Sequence, residues 1–516
     1  MKELLNTSLM TRFSLLLIFC VSGCVSQQTK VNQAQQAFAM GNLPAATLGI
    51  DQAIPSKNNV YNLEQGNILR LMGTSRIADS TRQFLLADEV LRQSEIKRTT
   101  LKSSLSNLGG YILSEGIGKD YEMKGYEGSL LAYSIALNHL LLGDWNNARV
   151  EVMKMVKREQ DLASFNEAKY RAISVEKNKG VKGMQGSVDN RLMQGNPVIS
   201  GYPVNTLSDP ETLSLKNSYQ SATAHYLAAF IFEKLREPSL AAPGYRLAIE
   251  LRPDIPFLQE GLKNVDINTN LPMNSSVSGM TDTLFVVETG FLPIVDNFKV
   301  NLPIPINGQL RFATVSYPYI APNTERFNPG QIAVDGQLIN LNMITNVDSM
   351  ARRDLRDEMP GYMLRAASRA VAQVLAQVAT QQAIQGNNTN NSNQATLGAI
   401  AGLITGITMA EVSTADVRHW SNLPANIYLA RAQVPNGARG ILVRTQSGSL
   451  VGRQIAFNGD KTVVYIRVFR DRASVMTSND VGSGALNLGQ PIFSVVQNIP
   501  QPLNIAPSQL NVAPTR

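Results

Sequence analysis

Histidine and cysteine are nearly missing from this 516-residue chain, which holds three of the first and two of the second. No HExxH, HxxxH or paired Cys/His spacing occurs, so a metal centre of the usual kind has no ligand set to build on. Walker-type and GxSxG motifs are also missing, and no cofactor is expected. Neither sign of charge dominates: 47 Lys+Arg stand against 40 Asp+Glu, a net charge of +7. The basic residues form no dense stripe, which argues against a nucleic-acid partner. Mean hydropathy of −0.09 excludes a polytopic membrane protein. At roughly 100–200 residues per domain, the length suits two to four domains.

What is present begins at the N-terminus. Lys2 and Arg12 precede Phe13–Val21, an apolar run of about nine residues, the length of a signal-peptide core rather than a membrane span. It ends in Val21-Ser22-Gly23-Cys24, which resembles the lipobox of bacterial lipoproteins. The resemblance implies cleavage between Gly23 and Cys24, a diacylglyceryl group on the Cys24 thiol and an acyl group on the new amine. Residues 1–23 are then the signal peptide and 24–29 a lipidated linker. Cys20 would leave with the signal peptide, so no intramolecular disulfide is expected. Several acyl chains, at about 0.8 kcal/mol per buried CH₂, anchor a protein without a membrane helix. Val25 and Ser26 follow where an Asp would favour inner-membrane retention, which by the same resemblance points to the outer membrane, facing the periplasm.

From 30 to 263 the apolar residues recur at helical spacing between Gly-Asn, Gly-Asp and Pro turns, so paired helices are expected. Ala229, Phe232, Ala241, Tyr245, Ala248 and Pro253 resemble a tetratricopeptide repeat, in which small and aromatic residues let two helices pack closely. Weaker copies run through Ala132, Ala136, Gly143, Ala148, Val152 and Met155, and through Ala37, Phe38, Gly41, Ala46, Ile50 and Ala53. Both share a glycine followed five residues on by an alanine. A generic helical bundle is the alternative. Residues 173–213, rich in Gly and Pro turns, predict a long mobile insertion.

The polar stretch 264–279 predicts a linker, after which the period changes from helical to two. Strands are expected at 283–288, 299–306, 311–317, 331–344, 426–433, 440–445 and 461–469, in a sandwich or small barrel interrupted by helices. Pro303 and Pro305 make the second of these an edge. Residues 348–384 predict a helix kinked or restarted at Pro360. Gly398, Gly402 and Gly406 recur every four residues like a glycine zipper, read either as a helix packed within the chain or as a self-association or membrane motif. Residues 498–516 read as a flexible tail.

The densest group of chemically capable residues is Asp416, Arg418, His419 and Trp420. An Asp beside a His suggests acid/base work, but no nucleophile signature accompanies it, so a structural pairing of Asp416 or Arg418 with backbone is expected, together with Trp420 in the core. His139 and His225 read as packed or half-exposed helical histidines. Glu122, Glu127 and Asp144 are the carboxylates that glycan cleavage would draw on.

The helix pattern, the lipobox and Ala415–Arg431 together resemble an uncharacterised family of Gram-negative outer-membrane lipoproteins with tetratricopeptide-like repeats. The resemblance implies an α+β chain, with a TPR-like helical array at 30–263 followed by a mixed β-rich domain with inserted helices at 280–497. It carries over no reaction and no catalytic residue. The expected role is a membrane-anchored scaffold or assembly factor that binds envelope proteins. The alternatives are a peptidoglycan-acting hydrolase or wall-binding protein, and a structural homo-oligomer joined through the glycine zipper.

Overall fold

The computed structural model describes residues 27–114, 121–179, 202–269, 279–306, 309–384 and 415–478. The signal peptide, Gly23 and Cys24, the zipper glycines Gly398, Gly402 and Gly406, and the 498–516 tail lie outside the described residues.

The turns explain why the helices come in pairs. Helices α1 (Gln27–Ala39) and α2 (Leu43–Ala53), α6 (Gly125–Leu141) and α7 (Trp145–Lys179), and α9 (Ala222–Lys234) and α10 (Pro238–Leu251) are each joined by a tight reversal. At its centre stands a residue of positive φ: Gly41 at 68°, Gly143 at 75° and Arg236 at 62°. The next amide bonds to the carbonyl five residues back in all three: Asn42 to Ala37, Asp144 to His139 and Glu237 to Phe232, at 2.8–2.9 Å. This is the Schellman closure that satisfies the last carbonyls of a helix. Asn42 and Asp144 then cap the following helix, their side-chain oxygens accepting the amides of Ala45 and Asn147. Five residues after the positive-φ position stand Ala46, Ala148 and Ala241, each fully buried where the two helices meet. Packing is tight enough that a Cβ on Gly244 would lie 3.0 Å from the Cβ of Ala229 and 3.2 Å from the His225 carbonyl. Of the six residues expected to pack this pair, Ala229, Phe232, Ala241, Tyr245 and Ala248 are buried and Pro253 is exposed beyond the helix end. A further pair, α3 (Asn59–Leu71) with α4 (Ile77–Leu101), has a short 3₁₀ turn in its connection.

The remaining helices of this region are α5 (Leu105–Ser114), α8 (Pro210–Ser214) and α11 (Pro256–Thr269). Of the expected 173–213 insertion, residues 180–201 lie outside the described residues, and both flanks are structured. Helix α7 continues to Lys179 because Ala172 and Ile173 still bury a helical face, and Leu207 and Thr212 are buried at the far side. Helix α11 likewise runs into the expected linker, as far as Thr269.

The β region contributes β1 (Met280–Thr289), β2 (Val295–Ile306), β3 (Gln309–Ile320), β4 (Gln331–Val334), β5 (Gln337–Asn340), β6 (Asn342–Asn346), β7 (Asn426–Pro435), β8 (Gly437–Arg444), β9 (Leu450–Phe457), β10 (Lys461–Val468) and β11 (Ala473–Thr477). They form a five-stranded sheet in the order β11-β10-β1-β7-β6, a four-stranded sheet β5-β4-β8-β9, and the hairpin β2-β3. β1 runs parallel to β10 and antiparallel to β7. The hairpin leaves β2, with its two prolines, as the edge expected of it. The run expected as one strand at 331–344 is three short ones. Asp335 and Gly336, at φ 48° and 84°, fold β4 onto β5 through a two-residue turn of the primed type. Strands β9 and β11 were not anticipated.

Alternation along β1 builds three layers. Leu284 and Val286 join one apolar core with the helices, while Phe285 and Val287 join another that contains Ile441, Val443 and Phe457 of the four-stranded sheet. Helices therefore cover one face of the central sheet and the smaller sheet covers the other. The helix-side core is continuous from Phe38 in α1 to Tyr465 in β10, so the 264–279 boundary divides the chain in sequence but not in its core. The long helix α12 (Val347–Ile384) passes through Pro360 as a single element rather than restarting there. It packs on β3 and, through Leu364, beside Ile173 of α7.

Candidate functional site

Helices α3, α6 and α9 are each buried over almost their whole length; α6 and α9 are apolar nearly all round, whereas α3 also buries Glu64, Gln65, Asn67 and Arg70. Their second cover is the chain's own C-terminal half. The central sheet meets α6 and α9, and residues 415–425 lie across α3 and α6. Two buried carboxylates hold that segment by its main chain. The amide of Trp420 donates to Glu127 Oε1 at 2.7 Å, and the amide of Ser421 donates to Glu64 Oε1 at 2.5 Å. Asn67 donates to the Asn422 carbonyl at 2.9 Å, Asn422 returns a bond to the Glu64 carbonyl at 2.9 Å, and Gln35 reaches the Ser421 carbonyl at 3.0 Å. The Trp420 ring is fully buried, 5.6 Å from Phe84, and its indole N–H donates to Asn422. Burial drives both carboxyls upward, Glu64 to about 7, while the amides that donate to them pull the other way.

The expected cluster resolves into separate pairs. Asp416 is gripped by Arg418 at 2.7–2.8 Å, and that guanidinium lies 5.7 Å from the Tyr121 ring centre. His419 is buried, its Nδ1 lies 3.1 Å from the Val417 carbonyl, and burial lowers its pKa to about 4. An acid/base pair of Asp416 with His419 is not assembled. Trp420 takes the core position expected of it.

The carboxylates considered for glycan cleavage are also spoken for. Both oxygens of Glu127 are occupied, one by Trp420 and the other by the Lys124 amide and the Tyr121 hydroxyl. Glu122 accepts from the Tyr111 hydroxyl. Asp144 caps α7 and sits 3.7 Å from His139, whose pKa burial lowers. His225 is buried against Glu159 at 2.8 Å, and Glu159 also accepts from Ser129 and Gln220.

One open cleft of about 100 Å³ lies where α4, α6 and α7 meet, and neither Glu122 nor Glu127 lines it. Leu91, Leu162 and Phe165 give it apolar walls; Arg98, Lys102 and Lys124 give it cations. Three carboxylates also line it: Glu95, bonded to Arg158 at 3.0 Å, Glu159, bonded to His225 at 2.8 Å, and Asp161. Lys124 approaches the Tyr362 hydroxyl at 3.4 Å, and the surrounding Tyr362, Asp416 and Asp354 raise its pKa against the effect of burial. Among the described residues, no group of three or more His, Cys, Asp or Glu side chains is arranged to hold a metal ion, and no helix is long and apolar enough to cross a membrane.

Sequence reading missed the ionisable residues on the helix side of the central sheet. Asp282 and Glu288 stand at the two ends of one face of β1, with Leu284 and Val286 between them. At the first end Arg431 bonds Asp282 and Glu233, and Lys234 bonds the same two acids, so two cations meet two carboxylates. The period-two pattern of β1 was the available signal, since a charge in phase with buried aliphatics requires a buried partner. No family model matches this chain, and no curated protein sequence matches it either.

Proposed function

We propose that the protein is an outer-membrane lipoprotein, anchored by acyl chains on Cys24, that acts as a scaffold or assembly factor for envelope proteins through a TPR-like helical array. The observation that supports this reading most is the recurrence of one turn in three helix pairs, with positive φ at Gly41, Gly143 and Arg236 and a buried alanine five residues later. A repeated helix pair stacks on its neighbours and offers an extended surface suited to protein ligands. The inner faces of α3, α6 and α9 are covered by the protein's own C-terminal half, so this reading assigns the partner to the outer cleft between α4, α6 and α7.

The test uses point substitutions, because deleting the helical half would strip one cover from the central sheet. A photo-crosslinking residue at Thr99, which lines the cleft, is compared in cells with one at Leu48, an exposed residue of α2. The reading expects one envelope protein to crosslink at Thr99 alone, and the crosslink to fall at least tenfold in Arg98→Glu/Lys102→Glu. Equal labelling at both positions, or glycan fragments in place of a protein, would overturn it.

A further inference from the structure

The two ends of the β1 face differ in charge balance. Around Asp282 two cations meet two carboxylates, whereas the Glu288 end holds two guanidiniums for one carboxylate: Arg467 stands 4.0 Å from Glu288, and Arg70 lies over the ring of Tyr465, whose hydroxyl bonds Glu288. Arg70, Arg467 and Glu288 are 1%, 0% and 2% exposed. Both Glu288 oxygens are committed, to the hydroxyls of Tyr133 at 3.1 Å and Tyr465 at 2.7 Å, and Arg467 Nη1 stands 4.0 Å from the nearer oxygen.

The guanidiniums use little of their bonding capacity. Arg70 Nη2 donates to Asn67 at 2.8 Å and Arg467 Nη2 to the Gly290 carbonyl at 2.7 Å. The Nε and Nη1 atoms of both are buried without an acceptor among the described residues. Their flat faces are covered by rings: Phe84 and Tyr465 at 5.4 Å for Arg70, Phe291 at 4.8 Å for Arg467. Tyr465 joins the two, since Arg70 lies over its ring and its hydroxyl bonds the carboxylate opposite Arg467. An arginine does not shed its proton at accessible pH, and a buried unpaired charge is costly. The surplus here is one positive charge, with buried N–H groups that lack an acceptor among the described residues and aromatic rings as neighbours.

We propose that the Arg70–Arg467–Glu288 cluster is a binding site for a small monovalent anion of halide type, held between α3 and β10. One anion makes the charge equal to that of the Asp282 cluster and accepts from N–H groups of both guanidiniums. A dianion is disfavoured, since it would reverse the sign of the charge among buried groups. The ion would join the helical layer to the sheet at one point, as Arg431 does at the other.

The test is thermal unfolding of the full chain at constant ionic strength, with sodium chloride exchanged for sodium gluconate, whose anion is too large to enter. The expected result is a saturable rise in Tm of at least about 2 °C with chloride. Arg467→Met restores the charge balance without an ion and should abolish the chloride response; Arg236→Gly, on a distant turn, should keep it. Crystals grown in bromide supply a readout independent of stability, an anomalous peak between the two guanidiniums. Superimposed chloride and gluconate curves, or no bromide peak there, would overturn the proposal and leave water as the acceptor.

Discussion

Glu64 should make the protein less stable as the pH rises from 4.5 to 7. Its carboxyl is buried at the contact between α3 and the 415–425 segment, accepts the Ser421 amide, and is raised from 4.5 to about 7 by burial. In that interval the folded protein keeps a proton that the unfolded chain has released. Stability from this group is therefore full below 4.5, falls through the interval and levels off above about 7. At about 1.4 kcal/mol per pKa unit, the loss amounts to roughly 3 kcal/mol. Asp354, raised from 3.8 to about 7 mainly by burial, slopes the same way. His419, lowered from 6.5 to about 4, slopes oppositely, because the unfolded chain takes up the proton first and stability is lost as pH falls through that range. The Glu64 contribution is isolated by difference. Glu64→Gln keeps an acceptor for Ser421 and removes the titration, so urea-unfolding free energies of wild type and variant should converge toward pH 4.5 and differ most near pH 7. There the variant should be the more stable by up to about 3 kcal/mol, less the cost of any misplaced amide hydrogen. Parallel pH profiles for the two proteins would refute the argument.

Other substitutions probe different contacts. Gly244→Val places methyls where even a Cβ would lie 3.0 Å from Ala229, and should cost about 1–3 kcal/mol in urea unfolding. Gly110→Ala adds a Cβ with nothing within 4 Å in α5 and should stabilise by up to about 1 kcal/mol. Arg236→Gly puts glycine at the one of the three matching turns that lacks it, and should raise stability by about 1 kcal/mol. Arg431→Met removes one of the two cations that meet Glu233 and Asp282 and should destabilise by about 3–5 kcal/mol, measured by the same unfolding curves.

Local features of this fold were legible in sequence and long-range ones were not. The glycine-to-alanine spacing located two of the three matching turns, because positive φ and close approach both select particular residues. Arg236 hid the equivalence of the third, being a residue that seldom takes positive φ. β-branched alternation marked most strands, but Ala473–Thr477 is only five residues long and Leu450–Phe457 places Gly452 and Arg453 inside its pattern. Helix α9, Ala222–Lys234, carried a hint of its double cover in being apolar on every side. Nothing in sequence pairs Glu127 with Trp420, 293 positions away, or Glu64 with Ser421, 357 away. The Asp416–His419 group drew notice for its residue types, yet its structural contribution comes mainly from the next residues, whose amides meet the carboxylates of the helices.

The central claim is that the chain's own residues 415–425 cover α3 and α6, and hydrogen exchange of the native protein tests it most directly. The amides of Trp420 and Ser421, bonded to Glu127 and Glu64, should exchange in the same slow class as those of α3 and α6. If the 415–425 peptides exchange fast while α3 and α6 stay protected, the segment leaves the groove in solution, and the inner face rather than the outer cleft is open to a partner.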